Sequence, residues 1–282
     1  MYGMQACKIL QSRMSNCTSS PTLHKKACKK RAVELHDEAL FKEPPPREEC
    51  PICSLPLPLD TRESTFQSCC GKLICNGCRH AMGNLYIQGS VKGLDDICAF
   101  CRKPGDISLE EEVKQTKNRM EANNALAFYR LAVLYHTGER GMPQNVAHAN
   151  ELYLRAGELG CAEAYYNLGS SYDNGRGVEM DKKKAKYYFE LSAMNGSVHA
   201  RYNLGLKEAT AGNIARSMKH FLLGANAGDK KSLDMVKAAY MDGIVTKDEY
   251  ADTLHANQKI QDEIKSDDRD KAEEFYRAIE NR

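Results

Sequence analysis

Between residues 124 and 243 the chain can be laid over itself, and this limits its fold more than any other feature. Ala127, Leu131, Tyr135 and Gly138 return as Ala164, Leu168, Tyr172 and Gly175, an offset of 37 residues. One residue is absorbed where Gly138-Glu139-Arg140-Gly141 becomes Gly175-Arg176-Gly177, and the offset is then 36, so Ala149 falls on Ala185 and Gly160 on Gly196. A third unit keeps the offset of 36 at Ala200 and Leu204, then loses four residues at the turn and closes at Gly228. A fourth opens with Ser232, Val236, Tyr240 and Gly243, with the same steps of four, four and three. Self-similarity at such a period means one supersecondary unit used several times.

Steps of three and four put Ala, Leu and Tyr on one face of a helix, and the glycine after Tyr supplies the left-handed residue that ends it. A second helix begins near Asn145, Asp181 or Asn213, all good N-caps, and ends at Gly160, Gly196 or Gly228. Each unit is thus a helical hairpin. Small residues such as Ala164, Gly169, Ala185 and Ala193 allow close helix approach. One hairpin cannot bury its own apolar face, so the units must stack into a solenoid. The stripe of Tyr135, Tyr172 and Tyr240 is expected in the repeat core. Thr246-Lys247-Asp248-Glu249 reads as a capping box opening one longer charged helix, with Tyr250, Leu254, Ile260 and Ile264 covering the open end of the stack.

The pattern Ala-x3-Leu-Gly-x2-Tyr-x2-Gly-x-Gly-Val over residues 164–178 closely resembles the Sel-one-like repeat (SLR), a relative of the tetratricopeptide repeats. The resemblance covers roughly residues 124–243, weakens in the first unit, and in the third lacks the Gly-x-Gly-Val turn. It implies an adaptor solenoid whose concave face binds another, unknown protein.

Eight of the twelve cysteines fall between Cys50 and Cys101, while Cys7, Cys17, Cys28 and Cys161 are isolated. The order is Cys50-x2-Cys53, Cys69-Cys70, Cys75-x2-Cys78 and Cys98-x2-Cys101. A Cys-x2-Cys turn delivers two sulfurs to one tetrahedral zinc, with Zn–S near ~2.3 Å, and eight thiolates suit two ions per chain. Metal binding would also explain how about fifty residues fold with little apolar core. Whether Cys69 and Cys70 both bind, or His80 replaces one of them, stays open on spacing alone.

This order resembles the RING finger in an all-cysteine variant. The resemblance implies cross-bracing: Cys50, Cys53, Cys75 and Cys78 hold one Zn2+, and Cys69, Cys70, Cys98 and Cys101 hold the other. It further implies a ubiquitin ligase that forms no covalent intermediate and positions a charged ubiquitin-conjugating enzyme. Ile52, between the first ligands, would pack on that enzyme, and Arg102, directly after the last, would hydrogen-bond it and ubiquitin. The chain departs from the pattern in its adjacent Cys69 and Cys70, in Ala99 where a proline is usual, and in having no Trp. A non-catalytic zinc-stabilised scaffold is therefore the second reading.

Several function classes receive no support. Lys plus Arg is 40 against 38 for Asp plus Glu, so no global basicity points to nucleic acid, and the cysteine-rich segment has no dense cationic surface with interleaved aromatics. No stretch approaches the roughly 18 apolar residues of a membrane span. No apolar block near the N-terminus suggests a signal peptide, which leaves cytoplasm or nucleus as the expectation and makes disulfides unexpected. The run Lys25, Lys26, Lys29, Lys30, Arg31 is short enough to be a solvated face, and Cys161 is expected to be a packing residue. No phosphate loop, paired carboxylates or serine triad is visible.

The expected organisation is mainly α, an α-solenoid of helical hairpin repeats with a small N-terminal cross-braced two-zinc RING-like module. Residues 1–47 form a basic, largely disordered tail with a short helix over residues 22–41. Residues 48–104 are the zinc module, 105–117 a linker, 118–245 the repeats and 246–282 a charged capping helix. The module and the repeats are expected to have separate cores.

Overall fold

The computed structural model describes residues 21–87, 97–104 and 107–280. The chain divides into two units, Met1–Pro44 and Pro45–Arg282. The first contains helix α1, Pro21–Leu40, which opens on proline, the residue best suited to a first helical position. It covers the basic run, and Arg31 donates to Glu34 at 3.2 Å and to Glu38 at 3.1 Å. The tail expected to be disordered lies, up to residue 20, outside the described residues.

The second unit begins with a hairpin, β1 (Ser64–Gln67) antiparallel to β2 (Lys72–Cys75), followed by α2 (Asn76–Ile87). The segment expected to be a linker is instead helix α3, Leu109–Glu121. Ser108 caps it by accepting the Glu111 N–H, and Glu110, Glu111 and Glu112 fill its first turn, where the helix dipole favours anions. Thr116 is fully buried on its inner face.

The hairpins follow: α4 (Ala125–Thr137) with α5 (Val146–Glu158), α6 (Ala162–Asn174) with α7 (Lys182–Met194), and α8 (Val198–Thr210) with α9 (Ile214–Asn226). Helix α10 (Lys230–Met241) starts a fourth. Gly138 and Gly175 end their helices at φ 72° and 68°, in the left-handed region that glycine enters without strain. Asn145 and Asp181 cap as expected from their side-chain type. Asn213 occupies an N-cap position without capping, because its amide donates at 2.8 Å to Glu208, a nearly buried carboxylate that needs partners.

The deepest aromatic stripe is not the tyrosine stripe read from the sequence. Tyr153, Phe189 and Phe221 are almost fully buried at equivalent positions of the second helices, whereas Tyr135, Tyr172 and Tyr240 pack only partly buried at the core margin. The two buried phenylalanine rings need glycines opposite. A Cβ on Gly169 would lie 2.9 Å from the Phe189 ring, and one on Gly205 2.5 Å from Phe221.

The expected single end helix is two. Helix α11, Lys247–Ile264, opens with the Thr246–Glu249 capping box and covers α9 and α10, while Leu254 is exposed. The chain leaves helical geometry at Lys265, and α12, Asp267–Glu280, turns away from the repeats to pack on α2. No described helix is long and apolar enough to cross a membrane.

Candidate metal centre

Cys50-x2-Cys53 and Cys98-x2-Cys101 are built as two copies of one knuckle. In the first, the Cys50 N–H donates to the Leu55 carbonyl and the Ser54 N–H to the Cys50 carbonyl, each at 2.8 Å. In the second, Cys98 donates to Lys103 at 2.8 Å and Arg102 to Cys98 at 3.0 Å. Both close on a residue at positive φ, Ser54 at 57° and Arg102 at 61°. Arg102 therefore has a backbone task at this position, and paired bridges, Glu49 with Pro56 and Ile97 with Pro104, complete the likeness.

The other sulfurs come from the β-hairpin. Cys69 and Cys70 lie in its turn, where Gly71, at φ 77°, donates to the Gln67 carbonyl at 2.7 Å. Cys75 ends β2, and Cys78 follows one turn into α2. Two groups result: the sulfurs of Cys50, Cys53, Cys75 and Cys78 lie within 4.8 Å of one another, and so do those of Cys69, Cys70, Cys98 and Cys101. The adjacent cysteines share one group. His80 belongs to neither and sets its ring 5.0 Å from that of Phe275.

The donor sets fit a tetrahedral ion. With Zn–S near ~2.3 Å, sulfurs at the corners of a tetrahedron stand about 3.8 Å apart. Cys50 and Cys78 are 3.8 Å apart, Cys53 and Cys75 3.9 Å, and Cys70 and Cys98 3.7 Å, all too long for a disulfide. The thiols are not equivalent. Burial works to raise Cys50, but N–H donors from Cys53, Cys75 and Ile52 outweigh it and bring the thiol down to about 7. Cys98 is drawn to about 7 against its burial by the N–H groups of Cys101 and Phe100. Burial, then neighbouring sulfurs, pushes Cys69 and Cys78 up. One thiolate per group forms readily, and a cation among the sulfurs would stabilise the rest. The chemistry such an ion supplies here is structural, since four thiolates leave no open coordination position.

The core around the first group is small and consists largely of its own cysteines: Cys50, Leu57, Ile74, Cys75 and Cys78. Ile52 stands 39% exposed at the tip of the first knuckle. Cys161 lies at the start of α6 without capping it, and burial pushes its thiol up to about 12, as befits a packing residue.

The module keeps a buried cluster of its own, apart from those of the repeats, and polar contacts fasten it to them. The Cys69 carbonyl accepts from Arg119 at 2.6 Å, the Gly71 carbonyl from Asn124 at 3.2 Å, and Ser68 donates to Gln115 at 3.0 Å. Leu59, Asp60 and Thr61 then run across the repeats. A Cβ on Gly228 would meet Leu59 at 3.1 Å, Asp60 acts electrostatically on His199, and Thr61 lines one cavity with Tyr129.

The architecture is thus a repeat α-solenoid with a thiolate-rich module set against it, and comparison with known proteins identifies the repeats. Residues 125–161, 162–197 and 198–229 match the Sel1 repeat family, so these hairpins are Sel1 repeats, and the fourth, incomplete unit lies beyond the match. The chain is 29% identical over 113 residues to the ERAD-associated E3 ubiquitin-protein ligase component HRD3B of Arabidopsis thaliana, which covers 39% of this chain and 17% of that protein. It is 35% identical over 75 residues to a sel1-like repeat-containing protein of Acanthamoeba polyphaga mimivirus, covering 27% and 14%. The chain thus spans less than a fifth of the length of these curated relatives. Among solved structures, a Sel1 repeat protein from Oxalobacter formigenes superposes with a TM-score of 0.48 at 22% identity, covering 65% of this chain and 73% of that one.

Proposed function

We propose that this Sel1-repeat protein is a zinc-dependent ubiquitin ligase or ligase adaptor. In this reading the two thiolate groups each hold one Zn2+, Ile52 and Arg102 face a ubiquitin-conjugating enzyme, and the repeats hold the protein to be modified. The observation that carries it is the interleaving of the two groups, first with third pair and second with fourth. The name of the Arabidopsis relative, a ligase component, supports it from the side of the repeats. A reducing compartment, cytoplasm or nucleus, suits eight thiols kept for metal. The second reading, a zinc-stabilised interaction scaffold, is favoured by the hydrogen bonds that fix the module to Gln115, Arg119 and Asn124 beside the repeats.

Single-turnover discharge of ubiquitin from a charged conjugating enzyme onto free lysine separates the two. Ile52→Ala is expected to weaken enzyme binding by about 1 to 3 kcal/mol through lost apolar contact. Arg102→Asn keeps a residue that tolerates positive φ while removing the cation, and is expected to slow discharge without changing zinc content. No stimulation by the wild-type chain across a broad enzyme panel, or equal stimulation by all three proteins, decides for the scaffold.

A further inference from the structure

Helix α12 meets the first thiolate group at Arg269, 216 residues from Cys53 in sequence. One guanidinium nitrogen donates to the Pro56 carbonyl at 2.9 Å and the Ile264 carbonyl at 2.7 Å, and another lies 3.6 Å from the Cys53 sulfur. No carboxylate among the described residues pairs with it, and Nε is buried without a hydrogen-bond partner. Its side-chain partner is the sulfur of Cys53.

A second observation is independent of charge. Gly77 lies between the ligand positions Cys75 and Cys78, and a Cβ there would fall 2.8 Å from the Arg269 backbone nitrogen and 3.0 Å from its Cα. The backbone of α12 is thus seated on the turn that presents two of the four sulfurs. Farther along, Ala272 is almost fully buried and the Phe275 ring lies tilted 5.0 Å from that of His80, which fixes the helix along α2.

We propose that Arg269 is a positioning residue for the first zinc site and that α12 is a latch whose docking depends on that zinc. This rests on the metal reading above. Four thiolates around Zn2+ carry a formal charge of −2, which an arginine outside the ligand set can neutralise in part, and such outer partners typically account for 10- to 100-fold in metal affinity. Linkage is reciprocal: if docked α12 strengthens zinc binding, zinc strengthens docking by the same factor. Withdrawing the ion would free residues 267–280 and expose the face of α2 beneath them.

The full chain loaded with zinc is titrated with a competing chelator while hydrogen exchange is followed over residues 267–280. In Arg269→Gln one of the two ions is expected to bind about tenfold more weakly and the other unchanged, with Arg269→Lys intermediate. In the wild-type chain, loss of that same ion is expected to open residues 267–280. Phe275→Ala, remote from the sulfurs, loosens the latch without touching the charge and is expected to weaken the same ion by a smaller factor, which keeps the test valid if Arg269→Gln misfolds. Two ions of unchanged affinity in both variants, or unchanged exchange over 267–280 after both ions leave, overturn the latch alone. A chain that takes up no zinc overturns the metal reading as well.

Discussion

The repeats and the thiolate module solve the same problem, holding a chain compact, with opposite distributions of stabilising contact. In residues 125–226 burial is spread over many equivalent positions, among them Ala127, Leu131, Ala164, Leu168, Ala200 and Leu204, so no single one determines the fold. In residues 48–104 the buried centre is mostly cysteine, and its apolar contribution is little more than Leu57 and Ile74. The first region is held by area and the second by two points. If each point holds an ion, as proposed above, the second region is expected to stay folded or collapse with that ligand, and the first to be indifferent to it.

Removing that ligand should affect the two regions most unequally. Structural zinc contributes on the order of 10 kcal/mol per ion in small domains, more than the net stability of most folded domains. Chelation is expected to abolish exchange protection over residues 48–87 and 97–104 while residues 125–226 keep theirs. Protection lost equally in both regions would show that the repeats depend on the module.

The converse experiment acts on the repeats alone. Phe189→Ala deletes a fully buried ring opposite Gly169 and is expected to cost about 3 to 5 kcal/mol, read by denaturant unfolding of the helical signal. Zinc content should remain at two ions. Loss of metal in this variant would mean that the module leans on the second repeat more than its own hydrogen bonds to α3 indicate.

The smallest effect is in pH. His220 is fully buried in α9, and burial first, then Arg201 and Arg216, pushes its pKa down to about 3. Between that value and the ordinary 6.5 an unfolded chain holds a proton that the folded chain lacks. Stability therefore falls as pH drops below 6.5, by up to about 1.4 kcal/mol per unit. His220→Leu should flatten the slope relative to wild type between pH 6.5 and 5.5, a comparison in which any metal loss is common to both proteins. Equal slopes would remove His220 from the account.

The repeats were readable in sequence because their signal is local and stated several times. The same offset that aligns Ala149 with Ala185 also aligns Tyr153 with Phe189, so the deep aromatic stripe was available to anyone following the second helix rather than the first. Helix α3 also had a signal: Ser108 three residues before Glu111, with an acidic first turn, is a helix start. The break at Lys265 was harder to see, since no Gly or Pro marks it. Ser266 followed by Asp267 and Asp268 is the cue, and the Ser266 hydroxyl accepts the Arg269 N–H. The RING resemblance implied the two groups of sulfurs but not the knuckle geometry that makes Arg102 a left-handed residue. The seat of Arg269 on Cys53 had no sequence signature, because one cation among many carries no period and its partner is remote in the chain.

The passage of Leu59, Asp60 and Thr61 along the solenoid has an evolutionary consequence. Repeat arrays ordinarily grow or shrink by duplicating or deleting a unit, since each unit touches only its neighbours. Here Leu59 of a non-repeating segment reaches Gly228 in the third repeat, while Thr61, two residues on, lines one cavity with Tyr129 of the first. A duplicated unit between Tyr129 and Gly228 would push these contacts farther apart than so short a stretch can span. The module thus acts as a gauge for the array, and chains that keep this loop should be found with one number of repeats between its two ends.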